Sequence, residues 1–173
     1  MTKDNLDQEK HWHAVFTRAE KKVRDRLEEL GVECFLPVQT VLRQWTYRKS
    51  RVVVPVIAGL VFVRVGRQEQ VKVLQTKGVV AFLRLKGEAG AAVIPDKQME
   101  DFRFLLDFSE EAVEMTNENI KAGDLVRVVK GSLRGMEGEL IRHKGVTKVL
   151  VRIDMLGCAM VNIPASFVEK LNK

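Results

Sequence analysis

The sequence has little cysteine and no long uninterrupted hydrophobic run. Its two cysteines, Cys34 and Cys158, lie far apart, and neither has another Cys or His at metal-ligand spacing. No apolar run approaches the roughly 20 residues that cross a bilayer, and the polar, acidic start MTKDNLDQEK is unlike a secretory signal. We therefore expect a cytoplasmic protein with no membrane association, disulfide, metal or other cofactor.

Histidine is also scarce. His11, His13 and His143 have no neighbouring pattern of nucleophile and carboxylate of the kind that acid–base or nucleophilic catalysis requires. His11 and His13 lie two residues apart, which in a strand places them on one face, and we expect that face to be at the surface. The sequence therefore predicts a protein that is not an enzyme.

Charge is distributed unevenly along the chain. Residues 1–108 carry 19 Lys and Arg against 14 Asp and Glu, residues 109–120 carry none against 4, and residues 121–173 carry 10 against 5. The acidic segment, SEEAVEMTNENI, lacks strong hydrophobic periodicity and is predicted to be a linker between two basic units. Basic units favour polyanions such as nucleic acid, although a merely solvated surface is an equally good interpretation.

The first unit alternates between strand and helix patterns. Strand-like stretches cover residues 12–17, 32–42, 52–65 and 79–85, and helical periodicity covers residues 20–30, residues 68–75 and a segment beginning at Pro95. This order predicts an α/β sandwich, with an antiparallel-type sheet flanked by helices. Together with the β-rich second unit described below, it makes the predicted fold class α+β.

A polar hairpin, LRQWTYRKSR at residues 42–51, lies between two of the predicted strands. It contains four cations together with Trp45 and Tyr47. Aromatic rings can stack on bases while cations hold phosphates, but a solvated hairpin tip is at least as common.

The second unit contains the glycine-rich stretch GDLVRVVKGSLRGMEGELIRH, residues 123–143. A nucleotide-binding loop should open a helix, usually with Gly-Lys-Ser/Thr at its end, whereas these glycines lie between two alternating runs. They are therefore predicted to shape a turn in a small barrel with strands near residues 124–129, 138–143, 148–153 and 160–163. Met155 and Leu156 are apolar where turns are usually polar, so they either cap the barrel or meet a partner.

The two units together resemble a known family. The stretch GDLVRVVKGSLRGMEG resembles the KOW motif, and WHAVFTR, EKKVRDRLEELGVECFLPVQ, VPVIAGLVFVRV, TKGVVAFLRL and IPDKQM are similar to the N-terminal domain of NusG transcription elongation factors. The basic hairpin is most similar to specialised paralogues of the UpxY type, with RfaH more distant. The resemblance implies an N-terminal domain at 1–108, an acidic linker at 109–120 and a five-stranded KOW β-barrel at 121–173.

The resemblance also implies a function and partners. A monomer would bind the clamp helices of RNA polymerase and act in transcription elongation and antitermination, suppressing pausing and termination on a dedicated operon of the capsular polysaccharide type. The apolar residues that match clamp-contacting positions are Phe16, Ile57, Leu60 and Phe62. The residues at positions that touch non-template or upstream DNA, with nascent RNA as an alternative, are Arg18, Arg24, Thr76 and Lys77. Met155 and Leu156 align with a turn that meets ribosomal protein S10 or termination factor Rho.

Two alternatives remain at the level of sequence. The apolar residues can be plain core and the cations plain surface charge. The family commonly has Phe-Pro-Gly-Tyr where this chain has Ile57-Ala58-Gly59-Leu60. Because of this difference, the sequence does not decide which of these residues would contact the clamp helices. The rival function is a ribosome-associated or general RNA-binding KOW protein, which would bind RNA without polymerase.

Overall fold

A computed structural model of the protein describes residues 8–172, so the first seven residues of the predicted N-terminal domain lie outside it. Contacts divide the chain into two compact units. The first contains the residues up to Pro37 together with Ile57–Asp96, and the second contains Val38–Val56 and the residues from Lys97 onward. This division by contacts differs from the predicted boundaries at 108 and 121, which stay a prediction.

In the part that the structure describes, from residue 8 onward, the first unit is a four-stranded antiparallel sheet with two helices. In chain order the elements up to residue 82 are β1 (His11–Thr17), α1 (Glu20–Glu29), β2 (Glu33–Phe35), β3 (Val38–Gln44), β4 (Lys49–Pro55), β5 (Leu60–Val65), α2 (Arg67–Gln75) and β6 (Val79–Phe82), of which β3 and β4 belong to the second unit. The strands of the first unit lie in the order β2-β5-β1-β6, and helix α1 contacts β2 and β5 while helix α2 contacts β5 and β6. The predicted alternation of strands and helices is confirmed, but the predicted strands at 32–42 and 52–65 are each divided in two. Glu33–Phe35 and Leu60–Val65 join this sheet, whereas Val38–Gln44 and Lys49–Pro55 form a separate hairpin.

Strand β5 is buried on both of its faces. Leu60, Val61, Phe62 and Val63 follow one another in sequence and all are buried. Because successive side chains of a strand point to opposite faces, a continuous apolar run of this kind is typical of a strand covered on both sides. Helix α1 contributes Val23 and Leu27, one turn apart, to the same unit's buried residues.

His13 corrects one expectation from the sequence. It was predicted to share a surface face with His11, but it is buried in β1, opposite Val63. Its Nδ1 lies 2.8 Å from the carbonyl oxygen of Ala92, and its ring meets Phe82 edge to face. Burial lowers the pKa of the imidazole, because a charged ring would lose its hydration. His13 is therefore a core residue.

The second unit is built mainly from strands. Its elements are β3 (Val38–Gln44), β4 (Lys49–Pro55), nearly all of helix α3 (Asp96–Phe108), β7 (Glu114–Thr116), β8 (Asp124–Val128), β9 (Glu137–His143), β10 (Val146–Ile153), β11 (Gly157–Asn162) and β12 (Val168–Lys170). Within the described residues, six of these strands form an antiparallel sheet in the order β12-β8-β9-β10-β11-β7, and β3 and β4 form a separate hairpin. A 3₁₀ turn, Ala165–Phe167, precedes β12. The predicted α+β class is confirmed.

The glycine-rich stretch is a strand, a loop and a second strand, as predicted. Gly123 and Gly138 allow close approach of neighbouring backbone. A Cβ added to Gly123 would overlap the Leu140 carbonyl oxygen, and one added to Gly138 would lie 2.9 Å from the Leu150 carbonyl oxygen. These glycines therefore permit the spacing of the sheet and do not form a phosphate-binding loop at the start of a helix.

The acidic segment takes part in the sheet. Residues 114–116 form β7, which pairs with β11. The five strands predicted for residues 121–173 are present as β8 to β12, and β7 adds a sixth strand from the predicted linker. Val113 is buried, and its backbone N–H and carbonyl both hydrogen-bond the side chain of Gln39 on β3. These contacts could not be predicted from hydrophobic periodicity, because a strand of three residues is too short to show a period.

An ion pair joins β7 to the middle of the sheet. Lys148 on β10 is buried, and its Nζ donates to Glu114 Oε1 at 2.6 Å. The carboxylate itself is half exposed. A buried ammonium that loses its partner keeps its cost of desolvation, so this pair stabilises the sheet by compensating Lys148.

We expect Glu114→Gln to lower the free energy of unfolding by about 1–3 kcal/mol, since it leaves Lys148 with a weaker acceptor. Combining it with Lys148→Met should recover most of that loss, because the buried charge is then absent. The exposed pair Asp124 and Lys170 provides the control, and Asp124→Asn should cost less than about 1 kcal/mol. Chemical denaturation of the four proteins measures these differences, and equal losses for Glu114→Gln and Asp124→Asn would contradict the role of Lys148.

Candidate functional site

The predicted polymerase-binding residues lie around the ends of β1 and β5. Phe16 is 41% exposed and pairs in register with Leu60. Ile57 is partly exposed in the turn that leads into β5. Gly59 fixes this turn: its φ is +73°, its carbonyl accepts from the Thr17 N–H at 2.9 Å, and its N–H donates to Glu20 at 2.6 Å. Helix α1 and strand β1 therefore position the turn directly.

The other two predicted residues lie in the core. Leu60 is 2% exposed and Phe62 is fully buried. The Phe62 ring stacks near Phe35, with ring centroids 6.1 Å apart. In this structure neither side chain presents a surface to a partner, so for Leu60 and Phe62 the alternative interpretation, plain core, describes what is observed. The exposed part of the predicted patch is Phe16 and Ile57.

The predicted DNA-binding residues differ in their availability. Arg18 and Lys77 are exposed. Arg24 donates from Nε and Nη2 to Asp25 Oδ1 at 3.0 and 2.8 Å, which directs its guanidinium to a neighbour on the same helix. Thr76 is buried, and its hydroxyl donates to the Lys72 carbonyl at 3.0 Å. The Thr76 hydroxyl therefore supplies a hydrogen-bond donor at the C-terminal end of α2, where the carbonyl groups lack donors from the helix itself.

The ends of α1 and α2 meet in a shallow basic cleft. Arg26 donates from Nη1 to the Lys77 carbonyl at 2.6 Å, and Gly78 follows with a φ of +100°. The cleft is lined by Arg26, Glu29, Leu30, Lys72, Gln75, Thr76 and Lys77. Of the four predicted DNA-binding residues, Thr76 and Lys77 therefore line the cleft, whereas Arg18 and Arg24 do not. Arg26 and Lys72 were missed from the sequence, although each is the basic residue of its helix's last turn.

The hairpin β3–β4 is the most basic exposed element of the second unit. Its register pairs Leu42 with Arg51, Arg43 with Ser50 and Gln44 with Lys49. Residues 38–56 contain four cations and no Asp or Glu. Trp45 and Tyr47 stand at the tip, both exposed, and Trp45 Nε1 donates to Ser50 Oγ at 2.9 Å. We name residues 38–56 the basic ribbon.

The turn between β10 and β11 presents Met155. Met155 is 38% exposed and has a φ of +67°, an unusual conformation for a residue with a Cβ, whereas Leu156 is partly buried. The turn is held by the Leu156 N–H, which donates to the Ile153 carbonyl at 3.0 Å, and by the Asp154 N–H, which donates to Gln98 at 2.8 Å. Of the two predicted residues, Met155 is the one directed outward.

These surfaces consist of apolar turns and cations. Within residues 8–172, no group of three or more His, Cys, Asp or Glu side chains could hold a metal ion. In the same range no helix is long and apolar enough to cross a membrane. The fold is that of a mixed α/β protein whose predicted site residues lie at turns and helix ends.

Comparison of the sequence with protein families identifies the family. Residues 10–103, more than half of the chain, match the family described as transcription termination factor NusG. The protein therefore belongs to the NusG family, whose members are non-enzymatic transcription factors that bind RNA polymerase and partner proteins.

A solved structure supports the fold assignment. This chain is similar to Thermotoga maritima NusG in a structure that concerns the domain interaction of that protein. The two sequences are 22% identical, the match covers 95% of this chain and 98% of that chain, and the TM-score is 0.51. A structure of an MjSpt4:Spt5 complex is 19% identical over 94% and 97%, but its TM-score of 0.27 is too low to carry an argument. No curated protein sequence matches.

The different burial of Phe16 and Leu60 makes a direct prediction. Leu60→Asp should lower the free energy of unfolding by about 4 kcal/mol or more, because it places a carboxylate in the core. Phe16→Asp should cost no more than about 2 kcal/mol, because the new carboxylate remains hydrated. Thermal unfolding and the dispersion of amide NMR signals measure both. A folded Leu60→Asp variant would show that Leu60 is accessible after all.

Proposed function

We propose that the protein is a transcription elongation factor that binds the clamp helices of RNA polymerase through Phe16 and Ile57 and suppresses pausing and termination. Membership of the NusG family carries this proposal. The finer assignment is an antitermination factor of the UpxY type, dedicated to one operon such as a capsular polysaccharide locus. It is supported by the similarity of the basic ribbon sequence to those paralogues.

The apolar end of the first unit suits a helical partner. Phe16 offers an aromatic surface whose backbone is fixed between β5 and β6, and the hydrogen bonds of Gly59 hold the adjacent turn. A rigid aromatic anchor loses little conformational entropy on binding and is the type of residue that dominates protein interfaces. Leu60 and Phe62 support this surface from within the core and do not contact the partner themselves.

The cations of the first unit are proposed to contact upstream or non-template DNA. Arg18 and Lys77 are exposed, and the basic cleft adds Arg26 and Lys72. Phosphate contacts of this kind supply affinity without sequence specificity, and they weaken with salt because counterions are released. Thr76 contributes indirectly, because its hydroxyl ends helix α2 immediately before Lys77.

The second unit is proposed to hold a second partner through the turn at Met155 and Leu156. An exposed methionine is adaptable, and the positive φ of Met155 is a local cost that a binding role would explain. Ribosomal protein S10 and termination factor Rho are the two partners that the resemblance suggests. The boundaries 1–108, 109–120 and 121–173 remain the proposed domain division.

Binding to core RNA polymerase tests the proposal. Phe16→Asp and Ile57→Asp should each weaken binding at least tenfold, since a charge would be desolvated against the clamp helices. Val93→Asp is the matched control, because Val93 is also exposed and belongs to the same unit. Surface plasmon resonance with intact polymerase, and with polymerase lacking the clamp helices, measures the affinities.

The rival function gives a different result in this assay. A ribosome-associated or general RNA-binding protein would bind polymerase weakly in every form and would retain its affinity for RNA in both Asp variants. Equal affinity of the wild type for the two polymerases would also contradict the clamp-helix site.

A further inference from the structure

We infer that the basic ribbon is a binding surface for an unpaired DNA strand, with Tyr47 and Trp45 stacking on bases and the flanking cations contacting phosphates. The inference deepens the proposed function. The choice of DNA rests on that function, which brings the protein to the opened template. The residues differ from Arg18, Arg24, Thr76 and Lys77, and they belong to the other compact unit.

The first observation is that the positive charge of the basic ribbon is not balanced by any acidic residue in the ribbon. Arg43, Arg48, Lys49 and Arg51 all lie on the ribbon, and residues 38–56 contain no carboxylate. A surface that serves solubility alone usually mixes both signs, because like charges repel one another. Four cations on a narrow two-stranded element create a local positive field that favours a polyanion.

The second observation is the arrangement of the cations around the aromatic rings. Trp45 and Arg48 exchange backbone hydrogen bonds of 2.7 and 3.3 Å, and Arg43 pairs with Ser50. Because paired residues and residues two apart share a face, Arg43, Trp45, Arg48 and Ser50 lie on one side of the ribbon. Lys49 and Arg51 lie on the other side, so each face carries two cations.

The third observation is that the aromatic rings are exposed at the tip. Tyr47 is 97% exposed, so packing does not explain an aromatic residue at this position. Trp45 is 54% exposed, and its hydrogen bond to Ser50 restricts the ring without covering it. Restriction before binding lowers the entropy that would otherwise be lost when a base stacks on the ring.

Stacking favours an unpaired strand over a duplex. In duplex DNA each base already stacks on its neighbours, so exposed rings gain a contact only by unstacking a base step. An unpaired strand offers free base faces, and aromatic side chains interleaved with cations are the arrangement that binds single strands with little sequence preference. The ribbon therefore fits single-stranded DNA better than the groove of a duplex.

The full chain and fluorescein-labelled oligothymidylate provide the test, with fluorescence anisotropy as the measurement. Tyr47→Leu should weaken binding about tenfold, because it keeps an apolar side chain but removes the ring. Tyr47→Phe should bind within about twofold of the wild type, since the ring that stacks is retained. Both substitutions change an exposed side chain, so the fold is retained in both.

The charges are tested by the salt dependence of the same binding. Arg43→Gln combined with Arg48→Gln, which removes the two cations on the face of Trp45, should reduce the slope of log affinity against log salt by about 1.4, or roughly 0.7 for each lost phosphate contact. Arg84→Gln combined with Lys86→Gln is the control, because both are exposed cations outside the ribbon. That control should leave the slope unchanged.

Tryptophan emission gives an independent readout. Trp12 is buried and Trp45 is exposed, so bound DNA should quench emission in the wild type but not in Trp45→Phe.

Equal affinity for duplex DNA, tighter binding to oligouridylate, or an unchanged affinity in Tyr47→Leu would each overturn the inference. The assay contains no polymerase. Loss of polymerase binding with intact oligonucleotide binding would therefore refute the proposed function alone, and the reverse would refute the ribbon alone.

Discussion

The burial of strand β5 on both faces is the constraint on which the first unit depends. Its consecutive residues Leu60 to Val63 all lie in the core. A strand covered on both sides cannot present a face to a partner, so function is confined to strand ends, turns and helix termini. Phe16, Ile57 and the basic cleft lie at such positions. The core thus determines where binding residues can stand and how firmly they are held.

The second unit also contains a strand, β10, that is buried on both of its faces. Val149 and Leu150 on β10 are fully buried, although they point to opposite faces of the sheet, so the apolar contacts again occupy both sides. Its exposed features include the turn at Met155 and the basic ribbon. The pair of Lys148 and Glu114 draws β7 into the sheet and gives the acidic segment a structural role beyond connection.

The sequence allowed the elements to be predicted better than the site. The glycine-rich loop and the ribbon were recognisable because turn chemistry and alternation are local properties. The burial of Leu60 and Phe62 was not recognisable, because a strand end that binds a partner and a strand end in the core have the same apolar pattern. His13 was misplaced for a related reason: spacing gives the face of a strand, but only the hydrogen bond to Ala92 and the contact with Phe82 show which face is covered. Strand β7 was missed because three residues carry no measurable period.

The central claim is that the end of β1 at Phe16 meets the clamp helices of RNA polymerase. A photocrosslinking amino acid at position 16, with position 93 as the reference, tests it most directly when the products with core polymerase are mapped by mass spectrometry. The account predicts crosslinks from position 16 to the tip of the clamp helices and none there from position 93. Crosslinks from position 16 to another part of polymerase, or no crosslinks above those of the reference, would contradict it.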